Sequence, residues 1–598
     1  MSRQPFRGQR RKLVLALDVG TTYSGISYAV LDPGQVPEIK PVTRFPAHEF
    51  ISGASKIPTV IWYDRSGQLK AAGAEAMREG VYEMAEDEGW VKAEWFKLHL
   101  RPRSQSSPNI SAEIPPLPPG KTVVQVFADF LRYLRDCATF YIQDTHANGA
   151  ELWESVKGDV DYVLSHPNGW EGAQQEMMRR AAALAGLIPN TPEGHGRVSF
   201  VTEGEASLHF SIQNGLPAGA MTNGDGVVVV DAGGGTIDFS AYGRSNSQTG
   251  AFEEISPPQC HFHGSIFVSI HARLFLENFL AESNFFDDLE HIIRCFDKTT
   301  KLRFRNIDDP QYIKFGSTRD TEPEFNIRFG QLKLQGTDVA GFFEPSVQCV
   351  VNAVHEQRKL AHRPISHVVL VGGFAASDWL YFKVRDTLKP QGFNVVRPEN
   401  HVNKAVSDGA ISFYLDHYVD KRVAKMTYGN FCHIPYNDHD PEHKRRHHTT
   451  FMSMAGSRRL PNAFDIILPK APEFRRVYFR ESPNRNDFQT AVFTVTGYRG
   501  AHRDPRFKDV DPANFSTLCT IEADLSRLTL RPLSNGQLKY YRLDYAIVLL
   551  FGATELKAMV AWTENGVERR YVSFVLMSKP GRANACRRSP AKIVYNHV

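Results

Sequence analysis

Two apolar runs in this chain carry the same order of features. Val14-Leu-Ala-Leu-Asp18-Val-Gly20-Thr21-Thr22 and Val227-Val-Val-Val-Asp231-Ala-Gly233-Gly234-Gly235-Thr236-Ile-Asp238 each read as a β-strand that ends on an aspartate and turns through glycine. Each then offers threonine and resumes as a second apolar strand, from Ser24 and from Phe239. A third run, His367-Val-Val-Leu-Val-Gly372-Gly373-Phe374-Ala-Ala-Ser377, is a buried-type strand entering paired glycines, and a helical period follows from Asp378 to Leu388. Apolar residues at Phe127, Phe130, Leu131, Leu134, Cys137 and Ala138 predict an amphipathic helix over Val124–Ile142. Tyr162–Pro167 reads as a strand and Trp170–Leu187 as a helix, the strand and crossover unit of an α/β fold. From Thr427 to Trp562 the pattern changes to short β runs between Pro, Gly, Asn and Asp clusters, which predicts a smaller β-rich domain.

Composition narrows the function little. The 598 residues are 42% hydrophobic and 23% charged, with a formal net charge of +4, which points to no nucleic-acid partner. No apolar run approaches the ~20 residues needed to span a bilayer, and no secretory segment precedes the first motif, so a cytoplasmic protein without a membrane partner is expected. Seven scattered cysteines without a CxxC suit reduced thiols. The basic residues 1–12 read as a disordered tail, and Arg101–Gly120, with its Pro115-Pro116-Leu-Pro118-Pro119 centre, as an exposed loop. Cys432, His433, His439, His443, His447 and His448 invite a metal reading, but the surrounding prolines, acids and the Lys444-Arg445-Arg446 run favour a solvated loop.

The doubled Asp-Gly-Thr hairpin suits two turns closing on one polyphosphate. Glycine lets backbone N–H groups approach the anion, Thr21, Thr22 and Thr236 can donate hydroxyls, and Asp18 with Asp231 can hold a hydrated Mg²⁺. At Gly372-Gly373 a backbone without side chains lets a flat ring and its ribose lie against the chain.

In this order the three motifs resemble the actin-like ATPase superfamily, and within it the 70-kilodalton heat-shock chaperones. Asp18-Val-Gly20-Thr21-Thr22-Tyr23-Ser24 and Asp231 to Asp238 resemble that family's two phosphate motifs, and Gly372-Gly373-Phe374-Ala-Ala-Ser377 resembles the adenosine motif of its divergent, lid-less branch. The resemblance implies two actin-like (ribonuclease-H-like) lobes, at 13–205 and 206–415, with a nucleotide cleft between them, a base-capping subdomain at about 264–330, and a reduced substrate-binding-like β domain at 416–598. It implies ATP or ADP with Mg²⁺ as cofactors. It further implies Lys97, with Lys92 as the alternative, near the γ-phosphate, and Glu203 orienting water on the metal; on one side of a strand Glu203 and Glu205 would repel unless one faces the metal, its waters or a basic partner, the alternative being Glu205 as a helix-start residue. By the same resemblance Gly264-Ser265 marks a phosphate-side turn, Asp297 and Lys301 the base-contacting helix, Gly372, Gly373, Phe374 and Ser377 the nucleoside contact, and Pro167 a relay of nucleotide state. Lys404 to Ala410 resembles a connecting helix whose Gly409-Ala410 permits a close helix crossing. No leucine-rich interdomain linker is visible around Leu415–Arg422 and no helical lid follows, which departs from the family. Relatives carry one terminal strand where Arg569–Asn596 is interrupted, so an insertion at about 570–588, such as a retained intron, is expected.

The implied function is a monomeric, slowly ATP-hydrolysing chaperone-like protein whose lobe closure regulates the β domain, with client polypeptides or co-chaperones as partners. The competing readings are a nucleotide-gated scaffold with little hydrolysis and a small-molecule kinase of the same superfamily. The kinase reading lacks an acceptor-activating aspartate beyond the two phosphate-motif aspartates.

Overall fold

The first repeat folds as an antiparallel hairpin of β1 (Lys12–Asp18) and β2 (Tyr23–Leu31), with Asp18 opposite Gly25. The computed structural model describes residues 3–47, 49, 55–102, 114–222, 225–245, 251–398, 402–424, 426–467, 473–526, 528–551, 556–564, 567–572 and 592–595. Helix α1 (Val123–Thr145) opens on a Thr122 and Gln125 capping box and presses Phe130 against Phe96, ring centroids 5.6 Å apart. Strand β3 (Val160–His166) runs parallel to β1, helix α2 (Gly172–Leu184) packs beside α1, and β4 (Val198–Thr202) runs parallel to β3. Helix α2 starts later than the pattern predicts because the chain after Pro167 turns first, burying Trp170.

Helix α3 (Glu203–Asn214) follows, and the second repeat then reuses the same plan. Strands β5 (Gly226–Ala232) and β6 (Ile237–Arg244) form a hairpin with Asp231 opposite Asp238, and β7 (Phe252–Glu254) pairs with β6. Helices α4 (Ser265–Phe279) and α5 (Gly336–Leu360) precede β8 (Ile365–Val371), which is parallel to β5. Helix α6 (Asp378–Leu388), strand β9 (Asn394–Val396), helix α7 (Ala405–Asp416) and strand β10 (Val419–Lys421) complete this part, giving the sheet order β9-β8-β5-β6-β7-β10. The fold is therefore mixed α/β. Between α4 and α5, a three-stranded sheet (Gln311–Lys314, Ile327–Arg328, Gln331–Leu334) accompanies the short helix Leu289–Cys295.

Helices α3 and α7 cross between the two sheets. Val406, Ala410 and Phe413 of α7 cover Val14, Ala16 and Val163, whereas Leu208 and Phe210 of α3 pack with Val227, Val229 and Val369. The crossing is tight: a Cβ on Gly409 would run into the Ala206 carbonyl, so the approach depends on glycine.

One segment differs from the sequence reading. Residues 3–11, expected as a free tail, are held in place: Arg3 Nε donates to both Asp416 carboxylate oxygens at 3.1 Å, and the Phe6 N–H donates to the Gln35 carbonyl at 2.8 Å. The connection after α7 is a docked, charged strand in place of an apolar linker. Strand β10 lies parallel to β7, Lys421 reaches Glu253 at 2.8 Å, and the Val423 N–H donates to Glu254 at 2.8 Å.

The C-terminal part is a sandwich of two antiparallel sheets. One is built from β11 (Thr427–Pro435), β12 (Phe451–Met452), β13 (Arg458–Ile466), β15 (Thr490–Tyr498), β16 (Phe515–Asp524) and β21 (Lys592–Tyr595), in the order β12-β13-β11-β15-β16-β21. The other has β14 (Glu473–Ser482), β18 (Lys539–Phe551), β19 (Leu556–Glu564) and β20 (Val567–Val572) in that order, with β17 (Leu533–Ser534) on β18. Phe493, Val495 and Ile521 from the first meet Ile547, Leu549 and Val560 from the second in one core. The expected insertion falls mainly on residues 573–591, and the Pro/Ser-rich loop largely on 103–113, both outside the described residues. No described helix is long and apolar enough to cross a membrane.

Candidate functional site

The two hairpin turns face each other. A Cβ on Gly235 would lie 2.5 Å from Thr21 Oγ1, and one on Gly234 would collide with the Thr22 hydroxyl, so the two threonines of the first turn sit directly on the glycines of the second. Gly20 is equally constrained, its Cβ position being filled by the Tyr23 carbonyl. The second turn is braced from behind: the N–H groups of Gly264, Ser265 and Ile266 donate to the carbonyls of Gly235, Gly233 and Gly234 at 3.2, 3.1 and 2.9 Å. The start of α4 thus fixes the loop, which places Gly264 and Ser265 behind the cradle.

Beneath the turns lies a buried charge cluster of Asp18, Glu203, Asp231, Asp238, Lys56 and Lys97. Lys56 Nζ donates to Asp18 Oδ2 at 2.7 Å and Ser165 Oγ to Asp18 Oδ1 at 2.8 Å. Lys97 Nζ donates to Glu203 Oε1 at 2.5 Å and lies 5.7 Å from the Trp170 ring centroid. Ser207 Oγ, one turn along α3, donates to Asp231 Oδ2 at 2.8 Å. The Asn168 N–H donates to Asp238 Oδ1 at 2.5 Å, while Asp238 Oδ2 is buried with no hydrogen-bond partner among the described residues.

The electrostatics follow from four carboxylates sharing two ammonium groups in a site shielded from water. Burial raises Asp18, but Lys56 and Lys97 outweigh it and hold the carboxyl below its ordinary value. Burial, then Glu203 and Asp18, push Asp231 up to about 7; Asp238 is raised well above the usual carboxylate range by burial, Glu203 and Asp231. Burial also raises Glu203 against the pull of Lys97, whereas Lys97 is raised against its own burial by Glu203, Asp18 and Asp238. These directions are compatible: the lysine keeps its proton among three carboxylates, and the surplus of acid is what takes protons up. The cluster is oxygen-rich, buried and under-neutralised, the donor chemistry a hard divalent cation such as Mg²⁺ takes, but among the described residues its carboxylates do not converge as three or more direct ligands.

Other expected residues fall around this centre. Asp297 lies in a π-helical turn (Phe296–Thr300) instead of a regular helix; Thr299 and Thr300 direct their hydroxyls to the carbonyls of Cys295 and Tyr312, at 2.6 and 3.0 Å. Lys301 Nζ bonds Asp297 at 2.7 Å and Ser269 Oγ at 2.9 Å. Burial and then the Asp297 carboxylate raise the Tyr23 hydroxyl above its ordinary value. Gly372 adopts φ +94°, where a Cβ would strike Asp231 Oδ1, so the third glycine motif also abuts the cluster and Gly373 beside it is exposed. Phe374 and Ser377 are engaged inside the fold: Phe374 packs 6.1 Å from Phe343, and Ser377 Oγ accepts the Leu380 N–H at the start of α6. Lys92 pairs with Glu94 at 2.7 Å, outside the cluster.

Glu203 and Glu205 do not place their carboxylates on one side of a strand. They open α3, and residues two apart on a helix diverge: Glu203 turns to Lys97 and Glu205 to Arg422 in the connection after α7. The sequence reading missed Lys56, Ser165, Asn168 and Ser207. Only Asn168 had a neighbouring signal, Pro167. Its side-chain amide donates to the Phe239 carbonyl at 3.0 Å and to Ser240 Oγ at 3.0 Å, tying β3 to β6.

The repeated hairpin with its facing turns is consistent with an actin-like ATPase fold. No protein-family model matches it. It is similar to heat shock 70 kDa protein 12A of Mus musculus, 23% identical over 91% of this chain and 89% of that protein, and to the Homo sapiens protein of the same name, 24% identical over the same shares. Heat shock 70 kDa protein 12B of Homo sapiens is 24% identical over 70% of this chain and 71% of its own length. These likenesses, at 23–24% identity, support a divergent 70-kilodalton heat-shock-like protein of the actin-like ATPase superfamily.

Proposed function

We propose that this chain is an ATP-binding, slowly ATP-hydrolysing, chaperone-like protein of two actin-like lobes whose closure on nucleotide alters what the β-rich domain holds. The observation that carries this reading is the apposition of Thr21 and Thr22 with Gly234 and Gly235 over the buried carboxylate cluster. Thr21, Thr22, Thr236 and the N–H groups of Gly233–Gly235 would hold the polyphosphate, with Asp18 and Asp231 holding Mg²⁺ through water. The ion, when bound, neutralises phosphate charge and favours phosphoryl transfer. Lys97 balances charge on the terminal phosphate, Glu203 orients the attacking water through its carboxylate, and the Gly372-Gly373 backbone with Lys301 and Asp297 receives the nucleoside. Glu203 and Glu205 share the first turn of α3, so a shift of Glu203 toward or away from Lys97 is felt by Arg422 and the docked strand β10. Client polypeptides or co-chaperones are the partners this reading calls for, with the chain acting as a cytoplasmic monomer.

One observation favours a nucleotide-gated scaffold with little turnover. Lys56 already neutralises Asp18, so a metal-water shell must displace a 2.7 Å ion pair to form. Single-turnover hydrolysis of Mg-ATP beside direct nucleotide binding, for wild type and Asp231→Ala, separates the readings. Turnover abolished in the variant supports the ATPase cycle, tight binding without turnover in the wild type supports the scaffold, and no nucleotide binding overturns both.

A further inference from the structure

The whole-chain charge of +4 conceals a local excess. No aspartate or glutamate occurs between His443 and Phe464, or between Leu525 and Leu543, although Lys444, Arg458, Arg531 and Lys539 lie within these stretches. None of these four makes an ion pair among the described residues, whereas Arg445, Arg446 and Arg542 do. Both stretches fold into hairpins. The first joins β12 to β13 through a turn closed by the Ser453 N–H on the Ser457 carbonyl at 2.8 Å; the second joins β17 to β18 at Asn535-Gly536-Gln537. The two tips touch: Asn535 Nδ2 donates to the Met454 carbonyl at 2.7 Å.

Large apolar side chains crown the joined tips. Phe451 is 38% exposed, Met452 61%, Leu533 42% and Leu538 55%, in a chain with ample core in which to bury them. Apolar tips flanked by Arg458, Arg531 and Lys539, which have no ion-pair partner among the described residues, match an anionic bilayer surface, with the apolar groups entering the headgroup boundary and the cations facing lipid phosphates and carboxylates. An extended acidic peptide fits less well, because β12 and β17 are two residues long and leave little strand edge to pair with. We propose that the paired hairpin tips at 451–458 and 533–539 are a peripheral docking surface for anionic membranes, independent of the nucleotide site.

The test is co-sedimentation of the full chain with vesicles of phosphatidylcholine alone and of phosphatidylcholine mixed with phosphatidylserine, at low and high salt. Three proteins are compared: wild type, Met452→Ser/Leu538→Ser, and Arg458→Gln/Arg531→Gln/Lys539→Gln. All the altered side chains are on the surface, so unchanged melting profiles establish that the variants are folded. The surface requires binding to phosphatidylserine vesicles only, weakened by salt, and weakened about tenfold or more by each variant set. The proposal is overturned if the wild type does not sediment with anionic vesicles, binds both vesicle types equally, or binds as well in either variant. It is also overturned if polyglutamate displaces it and the apolar variant binds vesicles like wild type, since the surface would then read soluble acidic partners.

Discussion

Replacing Arg422 with methionine tests whether the connection after α7 is anchored by charge. Glu205 is 1% exposed, and its carboxylate oxygens accept from Arg422 Nε at 3.2 Å and from Nη2. Removing the guanidinium strands a buried carboxylate, for which the usual cost is about 3–5 kcal/mol. About 3 kcal/mol is the appropriate end of that range, because 24% of the Arg422 side chain reaches solvent. For a cooperative unit of 150–250 residues that corresponds to a fall of about 6–12 °C in the transition containing α3 and α7. The assay is thermal and urea unfolding of wild type, Arg422→Met, Glu205→Gln and the double variant as a double-mutant cycle, in which the double variant recovers most of the loss. Burial already holds the Glu205 carboxyl above its ordinary value despite Arg422, and the substitution raises it further. A raised folded pKa gives stability that is present in acid and lost as pH rises, so the further rise in Arg422→Met makes its penalty smallest in acid and larger once pH climbs above the folded value of the wild-type carboxyl. A loss under about 1 kcal/mol, a double variant no better than the single, or a penalty that grows in acid refutes the argument.

Lys97→Met leaves Glu203 without its ammonium and removes the cation assigned to the terminal phosphate; single-turnover hydrolysis is expected to fall about 10²-fold while nucleotide binding changes far less. Gly409→Ala pushes a methyl group into the Ala206 carbonyl and is expected to cost about 1–3 kcal/mol in urea unfolding, with no cost marking the crossing as looser than described. His209, stacked 4.9 Å from Tyr418, is lowered to about 3 by burial and then by His417, Arg422 and Arg3. The unfolded chain therefore binds a proton that the folded one refuses, and stability falls by about 1.4 kcal/mol per unit as pH drops below about 6.5; His209→Asn flattens that slope in urea titrations at stepped pH.

What was legible in the sequence was local. Asp18-Val-Gly-Thr-Thr and Asp231 to Asp238 each hold strand, turn and ligand-type side chains within a dozen positions, and the structure sets those turns face to face. Lys97, assigned by family position, does enter the cluster, but its partner there is Glu203. Lys56 was invisible because the strand it precedes, Ile57–Pro58, is two residues long and is defined only by pairing with Tyr23 and Ser24. Ser207 and Asn168 are ordinary polar residues until packing turns them onto Asp231 and Asp238. The Glu203–Glu205 error came from continuing the β4 pattern through Thr202, whose side chain accepts the Glu205 N–H and starts a helix. The docked strand β10 lacked a hydrophobic signature because charged side chains, Lys421 and Arg422, anchor it.

The helix crossing between the sheets also bears on how the chain is made. Val14, Ala16, Ala29, Val163 and Val201 are complete as a sheet face once β4 has been synthesised, yet their cover includes Val406, Ala410 and Phe413 from α7. Roughly two hundred residues separate them, which at about 5–20 residues per second leaves that apolar face waiting for about 10–40 s during translation. A nascent chain with this architecture therefore passes through a long interval in which it is itself a substrate for chaperones.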